Sequence, residues 1–109
     1  MDFKAGDFVH CSGMPEETRI VIHPTGIGLG HTEKEIMVLA LGESSKGYYN
    51  NVIRGSGYVK TTPSKKLVED AKDKIKKSLL SIRRNGHIYV DNLTYIEITA
   101  RLREYEKEI

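Results

Sequence analysis

Hydrophobic and polar residues alternate with a short period through the first sixty residues of the chain. Five segments rich in β-branched and aromatic residues, each bounded by Gly, Pro, Asn or Ser, predict five short strands. They are residues 3–11 (a turn and then a strand), 19–23, 35–41, 48–54 and 58–62. The third segment, EIMVLAL, is the most apolar and is expected to be the central strand. The turn Gly55-Ser56-Gly57 predicts that the last two strands form a hairpin.

The period changes to that of an amphipathic helix after residue 62. Thr62 is a suitable N-cap for a first helix, with Pro63 at its first position and Asn85-Gly86 at its end. The apolar face of this helix would carry Val68, Ala71, Ile75, Leu79 and Ile82. A second helix, capped by Asp91 or Asn92, would place another apolar stripe against the core: Tyr95, Ile98, Leu102, Tyr105 and Ile109.

The second helix has a competing interpretation. Residues 93–99 are rich in β-branched side chains and could pair with residues 87–90 as a hairpin. The helix is favoured because its apolar stripe continues unbroken to the last residue of the sequence. The expected fold is therefore α+β, with a small, antiparallel, partly barrel-like sheet at the N-terminus followed by two C-terminal amphipathic helices.

Length and composition fit one domain of 109 residues, with a β-rich part at 1–62 and a two-helix part at 63–109. The chain has no Trp and two Phe, so its core is sparse in aromatic residues, and association into a homo-oligomer is expected. A single cysteine excludes an intrachain disulfide. No apolar run reaches 18 residues, so no membrane segment or signal peptide is expected, and the predicted location is cytoplasmic.

Catalytic and metal-binding patterns are weak. Cys11 follows His10 directly, and neighbouring side chains on a strand point to opposite faces, so His10 is poorly placed to activate the thiol. The histidines and Cys11 do not form pairs at zinc-binding spacing. The glycines of residues 26–30 follow a G-x-G-x-G pattern that precedes another strand, which is typical of a loop. The sequence therefore predicts neither an enzyme, nor a metal site, nor a cofactor.

Positive charge is concentrated in the first predicted helix. Eight of the 17 basic residues, but three of the 15 acidic ones, lie between Pro63 and Gly86. Such a segment either binds an anion or simply forms a well-solvated helix face.

Arginine, tyrosine and amide side chains form the strongest candidate binding set. Guanidinium groups bind phosphate, tyrosine rings stack on bases, and amides pair with base edges. If the end of the first predicted helix, near Arg84, lies beside the predicted strand 48–54, these side chains together would bind an anionic, ring-containing ligand. The candidate ligand-binding residues are Tyr48, Tyr49, Asn50, Arg54, Arg84, Asn85, His87, Asn92, Thr94 and Arg101. The alternative is that the tyrosines pack across strands and the arginines are solvated.

The chain also resembles a family of phage proteins. The similarity lies in Phe3-Lys4-x-Gly6-Asp7-x-Val9-x-Cys11, in Gly47-Tyr48-Tyr49-Asn50-Asn51-Val52, and in the order of a β-rich part and two helices. On these features it is similar to the sponge proteins that counter the bacterial Thoeris defence system. The resemblance implies an oligomer that sequesters a cyclic ADP-ribose-type signal, or a cyclic oligonucleotide, without cleaving it.

Two other functions fit the same sequence. The start Phe3-Lys4-x-Gly6-Asp7-x-Val9 is also found in SH3-like barrels, so the chain could be a nucleic-acid- or RNA-polymerase-binding module that uses the basic helix 64–84. The apolar faces of the two helices could instead make it a protein inhibitor of a host enzyme.

Overall fold

A computed structural model describes residues 3–25, 33–41, 50–85 and 92–108. Within these ranges, residues 14–16, 50–55, 78–85 and 92 are described by backbone position alone. The strands are β1 (Phe8–Cys11), β2 (Met14–His23), β3 (Glu35–Ala40), β4 (Asn50–Arg54) and β5 (Tyr58–Lys60). The helices are α1 (Lys65–Asn85) and α2 (Asn92–Glu108). The α+β fold is thus confirmed, and α2 is a helix across residues 93–99, so the alternative hairpin is excluded.

The five strands form one antiparallel sheet in the order β4-β3-β2-β1-β5. Two sequence predictions about it are wrong. The central strand is β2 rather than β3, because β2 has two strands on either side of it in the sheet, whereas only β4 lies beyond β3. β4 and β5 do not form a hairpin: β5 pairs with β1, although its local sequence suggests a tight turn after β4. Pairing with a strand some fifty residues earlier in the chain overrides that local signal.

The connection between β4 and β5 requires the sheet to curl. It consists of a short 3₁₀ turn, Gly55–Gly57, and a chain can extend at most about 14 Å between Arg54 and Tyr58. The edges of a flat five-stranded sheet would lie about 19 Å apart. Register shifts at His10/Cys11 and Val21/His23 supply bends of the kind that curve a sheet. In the described residues the sheet is nevertheless open and not closed into a barrel.

Both faces of the curled sheet are buried. One face packs under the two helices, where Phe8, Ile20 and Leu39 meet Ile75, Ile98 and Leu102. The opposite face forms a second, smaller cluster of Val9, Val21, Ile36 and Val38, with Phe3 and Tyr58 packed against it. Phe8 and Tyr105 join β1 to α2 by an edge-to-face contact, with ring centroids 5.3 Å apart. Together with the bonds from Arg101 to Ala5 and Asp7, this contact holds the turn before β1 close to α2.

The helix faces follow the predicted stripes where side chains are described. Val68, Ala71 and Ile75 of α1 are buried, as are Ile98 and Leu102 of α2. The predicted start of α1 is wrong. Ser64, not Thr62, is the N-cap, because the Leu67 amide donates to the Ser64 hydroxyl at 3.2 Å. Pro63 lies before the helix and is buried.

Candidate functional site

The turn before β1 carries a buried carboxylate. Asp7 is 4% exposed, and the amide of Lys4 donates to its Oδ2 at 2.8 Å. The Lys60 ammonium lies 3.5 Å from the same oxygen. The second oxygen, Oδ1, accepts from a guanidinium nitrogen of Arg101 on α2. A buried carboxylate is tolerated only when it is paired and hydrogen-bonded, and Asp7 meets both conditions.

Arg101 is held on three sides. Besides Asp7, its Nη1 donates to the carbonyl of Ala5 at 3.2 Å, and its Nη2 donates to the Tyr105 hydroxyl at 3.0 Å. The guanidinium also lies over the Tyr105 ring, 5.6 Å from the centroid. A side chain bound in this way has lost most of its rotational freedom, so the cation is fixed relative to β1.

Gly6 allows the close approach of this turn to α2. Its φ is +92°, in the left-handed region that side chains disfavour, and its amide donates to Val21 at 2.8 Å. A Cβ placed there would come within 3.2 Å of the Arg101 side chain. A side chain here would be strained by the positive φ, and Arg101 would have to shift by a few tenths of an ångström to admit its Cβ.

The pKa of the Tyr105 hydroxyl depends on the same neighbouring groups. Burial raises the pKa of its hydroxyl, while the Arg101 cation opposes the shift and the Asp7 carboxylate adds to it. The phenol therefore stays protonated at neutral pH. It accepts a hydrogen bond from Arg101 as a neutral group.

An open cleft of about 490 Å³ lies beside Arg101. Its lining is mainly apolar and comes from the N-terminal turn, the end of β2 and one side of α2. The lining residues are Phe3, Lys4, Ala5, Pro24, Glu97, Ala100 and Arg101. The cleft thus places an aromatic ring, two cations and a carboxylate around an apolar surface.

The ten candidate residues from the sequence are distributed differently. Arg101 lines the cleft, and Thr94, on the same helix, is buried and already has a partner in the structure. Five others are placed by backbone alone: Asn50 and Arg54 in β4, Arg84 and Asn85 in α1, and Asn92 at the start of α2. Tyr48, Tyr49 and His87 lie outside the described residues, so the predicted cluster as a whole stays a prediction.

Sequence reasoning missed most of the cleft. A signal was present in Gly6-Asp7, because an acidic residue beside a turn glycine just before a buried strand needs a cationic partner. The i, i+4 spacing of Arg101 and Tyr105 was a second signal, because such residues lie on the same side of a helix. Phe3, Pro24 and Ala100 carry no comparable signal, since their proximity depends on the tertiary fold.

The basic helix α1 has a different character. Lys72 pairs with Glu106 at 2.6 Å, and Lys77 pairs with Asp73 at 2.9 Å. Lys74 is buried, donates to the Ala40 carbonyl at 3.2 Å and pairs with Asp70. Three of the lysines expected to face an anion are therefore paired with groups of the protein itself, Lys74 in a buried position and the other two at the surface.

Two further observations concern chemistry and location. Within the described ranges no three His, Cys, Asp or Glu residues are grouped as metal ligands would be. Across that same part of the chain, no helix has the length and apolar character needed to cross a membrane.

Comparison of the chain with protein-family models, curated proteins and solved structures finds no match.

Proposed function

We propose that this protein is a non-catalytic binding protein that holds a small, anionic, nucleotide-type molecule in the cleft beside Arg101. The observation that carries the proposal is a fixed guanidinium at the edge of an apolar cleft. In this proposal the ligand is a cyclic ADP-ribose-type or cyclic oligonucleotide signal, bound and released unchanged. Sequestering such a signal in the cytoplasm of an infected cell would make the protein a phage anti-defence sponge.

Arg101 has hydrogen-bonding capacity left for a ligand. A guanidinium carries five N–H donors, and its bonds to Asp7, Ala5 and Tyr105 use three of them. The side chain is 29% exposed and lines the cleft. Because the group is already immobilised, binding an anion costs little additional side-chain entropy. Asp7 compensates part of its charge, and the exposed Lys4 supplies a second cation.

The apolar lining suits the uncharged part of a nucleotide. Ligand sites commonly enclose 300–1,000 Å³ and combine apolar walls with a few polar groups. The cleft volume of about 490 Å³ falls within that range. The half-buried Phe3 offers a ring on which a base can stack, an interaction worth about 1–3 kcal/mol per base.

Isothermal titration calorimetry with cyclic ADP-ribose and AMP as probes tests the proposal. Ala100→Phe should fill the cleft while leaving the bond between Asp7 and Arg101 in place, and it should weaken binding at least tenfold. Arg101→Lys keeps the positive charge but loses the planar set of N–H donors of the guanidinium, and a severalfold loss of affinity is expected. Mass spectrometry should recover the bound molecule intact.

Arg103→Ala is the matched control, because Arg103 is an exposed cation of the same helix that does not line the cleft. It should change affinity less than twofold. Binding of neither probe, or binding that Ala100→Phe leaves unchanged, would contradict the proposal. Tight, steeply salt-dependent binding of duplex DNA would favour the nucleic-acid alternative instead. Self-association stays a prediction, which light scattering during size-exclusion chromatography measures.

A further inference from the structure

Glu97 and Arg101 occupy positions that usually form an ion pair. They are four residues apart on α2, with the acidic residue first, which is the favourable orientation for pairing along a helix. Arg101 instead turns to Asp7, Ala5 and Tyr105. Glu97 is exposed, lines the cleft and makes no ion pair with any residue in the described part of the chain. Its carboxylate is therefore available to a ligand.

The two side chains present complementary chemistry one helical turn apart. Four residues of α-helix rise about 6 Å. At one end of this span the guanidinium donates hydrogen bonds to an anion, and at the other the carboxylate accepts them from hydroxyl or amino groups. A ligand that contacts both side chains must carry an anionic group such as a phosphate, and also a hydrogen-bond donor. These two groups must be separated by a distance similar to that between the guanidinium and the carboxylate. Because Glu97 repels phosphate, the anionic group has to lie on the side of Arg101.

A ribonucleotide has this arrangement, with a phosphate and a pair of sugar hydroxyls on one compact unit. Carboxylates that accept from a ribose hydroxyl are an established way for proteins to hold nucleotides. We propose that Glu97 accepts hydrogen bonds from the ribose hydroxyls, so that the cleft selects ribonucleotides over 2′-deoxyribonucleotides. This inference rests on the proposed function, because it assigns a role within the same cleft.

The test compares AMP with 2′-deoxy-AMP in calorimetric titrations of the full chain. The wild type should bind AMP about tenfold more tightly, since a hydrogen bond to a charged acceptor contributes about that factor. In Glu97→Ala the ratio should fall to near one. Glu97→Gln, which keeps the size and one acceptor oxygen, should give an intermediate ratio.

Glu104→Ala is the matched control, since Glu104 is an exposed carboxylate of the same helix that does not line the cleft. It should retain the wild-type ratio. A ratio near one in the wild type, or a tenfold ratio that survives in Glu97→Ala, overturns the role of Glu97 while leaving the cleft as a binding site. If cyclic ADP-ribose binds but neither AMP nor 2′-deoxy-AMP does, the role of Glu97 is overturned and the cleft remains a binding site. If none of the three binds, the proposed function fails, and the inference fails with it.

Discussion

The two helices pack on the same face of the sheet but use their cations differently. In α1, Lys72, Lys74 and Lys77 pair with carboxylates of the protein, and two of these pairs join residues four apart on the same helix. In α2, Arg101 reaches across to a carboxylate in the turn before β1. The more basic helix therefore uses three of its described lysines in ion pairs, whereas the less basic helix fixes a cation beside a cleft. Net charge along a segment thus does not show which of its cations are already paired within the protein.

The difference predicts unequal energetic roles for two aspartates. Asp7→Ala removes the partner of Arg101 and the acceptor of the Lys4 amide, and it should lower the free energy of unfolding by about 2–4 kcal/mol. Asp73→Ala removes an exposed partner of Lys77 and should cost less than about 1 kcal/mol. Urea denaturation of both variants measures the two values. Similar losses in both would show that the contrast between the helices has no energetic basis.

Gly6→Ala tests whether the approach of β1 to α2 requires a glycine. The substituted residue would keep a positive φ and press its Cβ against Arg101. A loss of about 1–3 kcal/mol is expected from backbone strain and crowding together. Gly13→Ala is the control, because a Cβ at Gly13 meets no atom within 4 Å. A thermal melt in which both variants match the wild type would contradict this role for Gly6.

The smallest expected effect concerns pH. Because burial raises the pKa of Tyr105, the folded state holds the phenolic proton more tightly than the unfolded state. The associated stability is complete below the ordinary tyrosine pKa of about 10, and it is lost as pH rises through the higher pKa of the folded state. Tyr105→Phe cannot ionise, so its free energy of unfolding should fall less steeply between pH 9 and 11. Parallel curves for the two proteins would exclude this contribution.

Local patterns predicted most of the elements but not all of their pairing. The core positions of α2 followed from spacing alone, since Ile98 and Leu102 lie on one helical face. The partner of β5 did not, because Gly55–Gly57 signals a local turn whereas β5 pairs with a strand about fifty residues earlier. A short connection between opposite edges has no local sequence signature that distinguishes it from a hairpin.

The candidate site also contains some residues that the sequence identifies and others that only the tertiary structure brings to the cleft. Arg101 was identified by its side-chain chemistry, and its part in the cleft follows from the structure. Phe3 and Glu97 both line the cleft because α2 crosses the turn before β1, which is a tertiary contact. Thr94 was selected for its polar group, but burial on the core side of α2 removes it from the cleft surface.

The pairing of Asp7 with Arg101 also bears on how the chain is made. These residues are 94 positions apart, so a ribosome adding about 5–20 residues per second completes the carboxylate about 5–20 s before its counter-ion. Until then Oδ1 of Asp7 lacks its guanidinium donor, although Oδ2 can already bond the Lys4 amide and pair with Lys60, and the turn before β1 cannot be buried beneath α2. The synthesis of α2, which follows that of the sheet, thus decides when the turn before β1 can be buried.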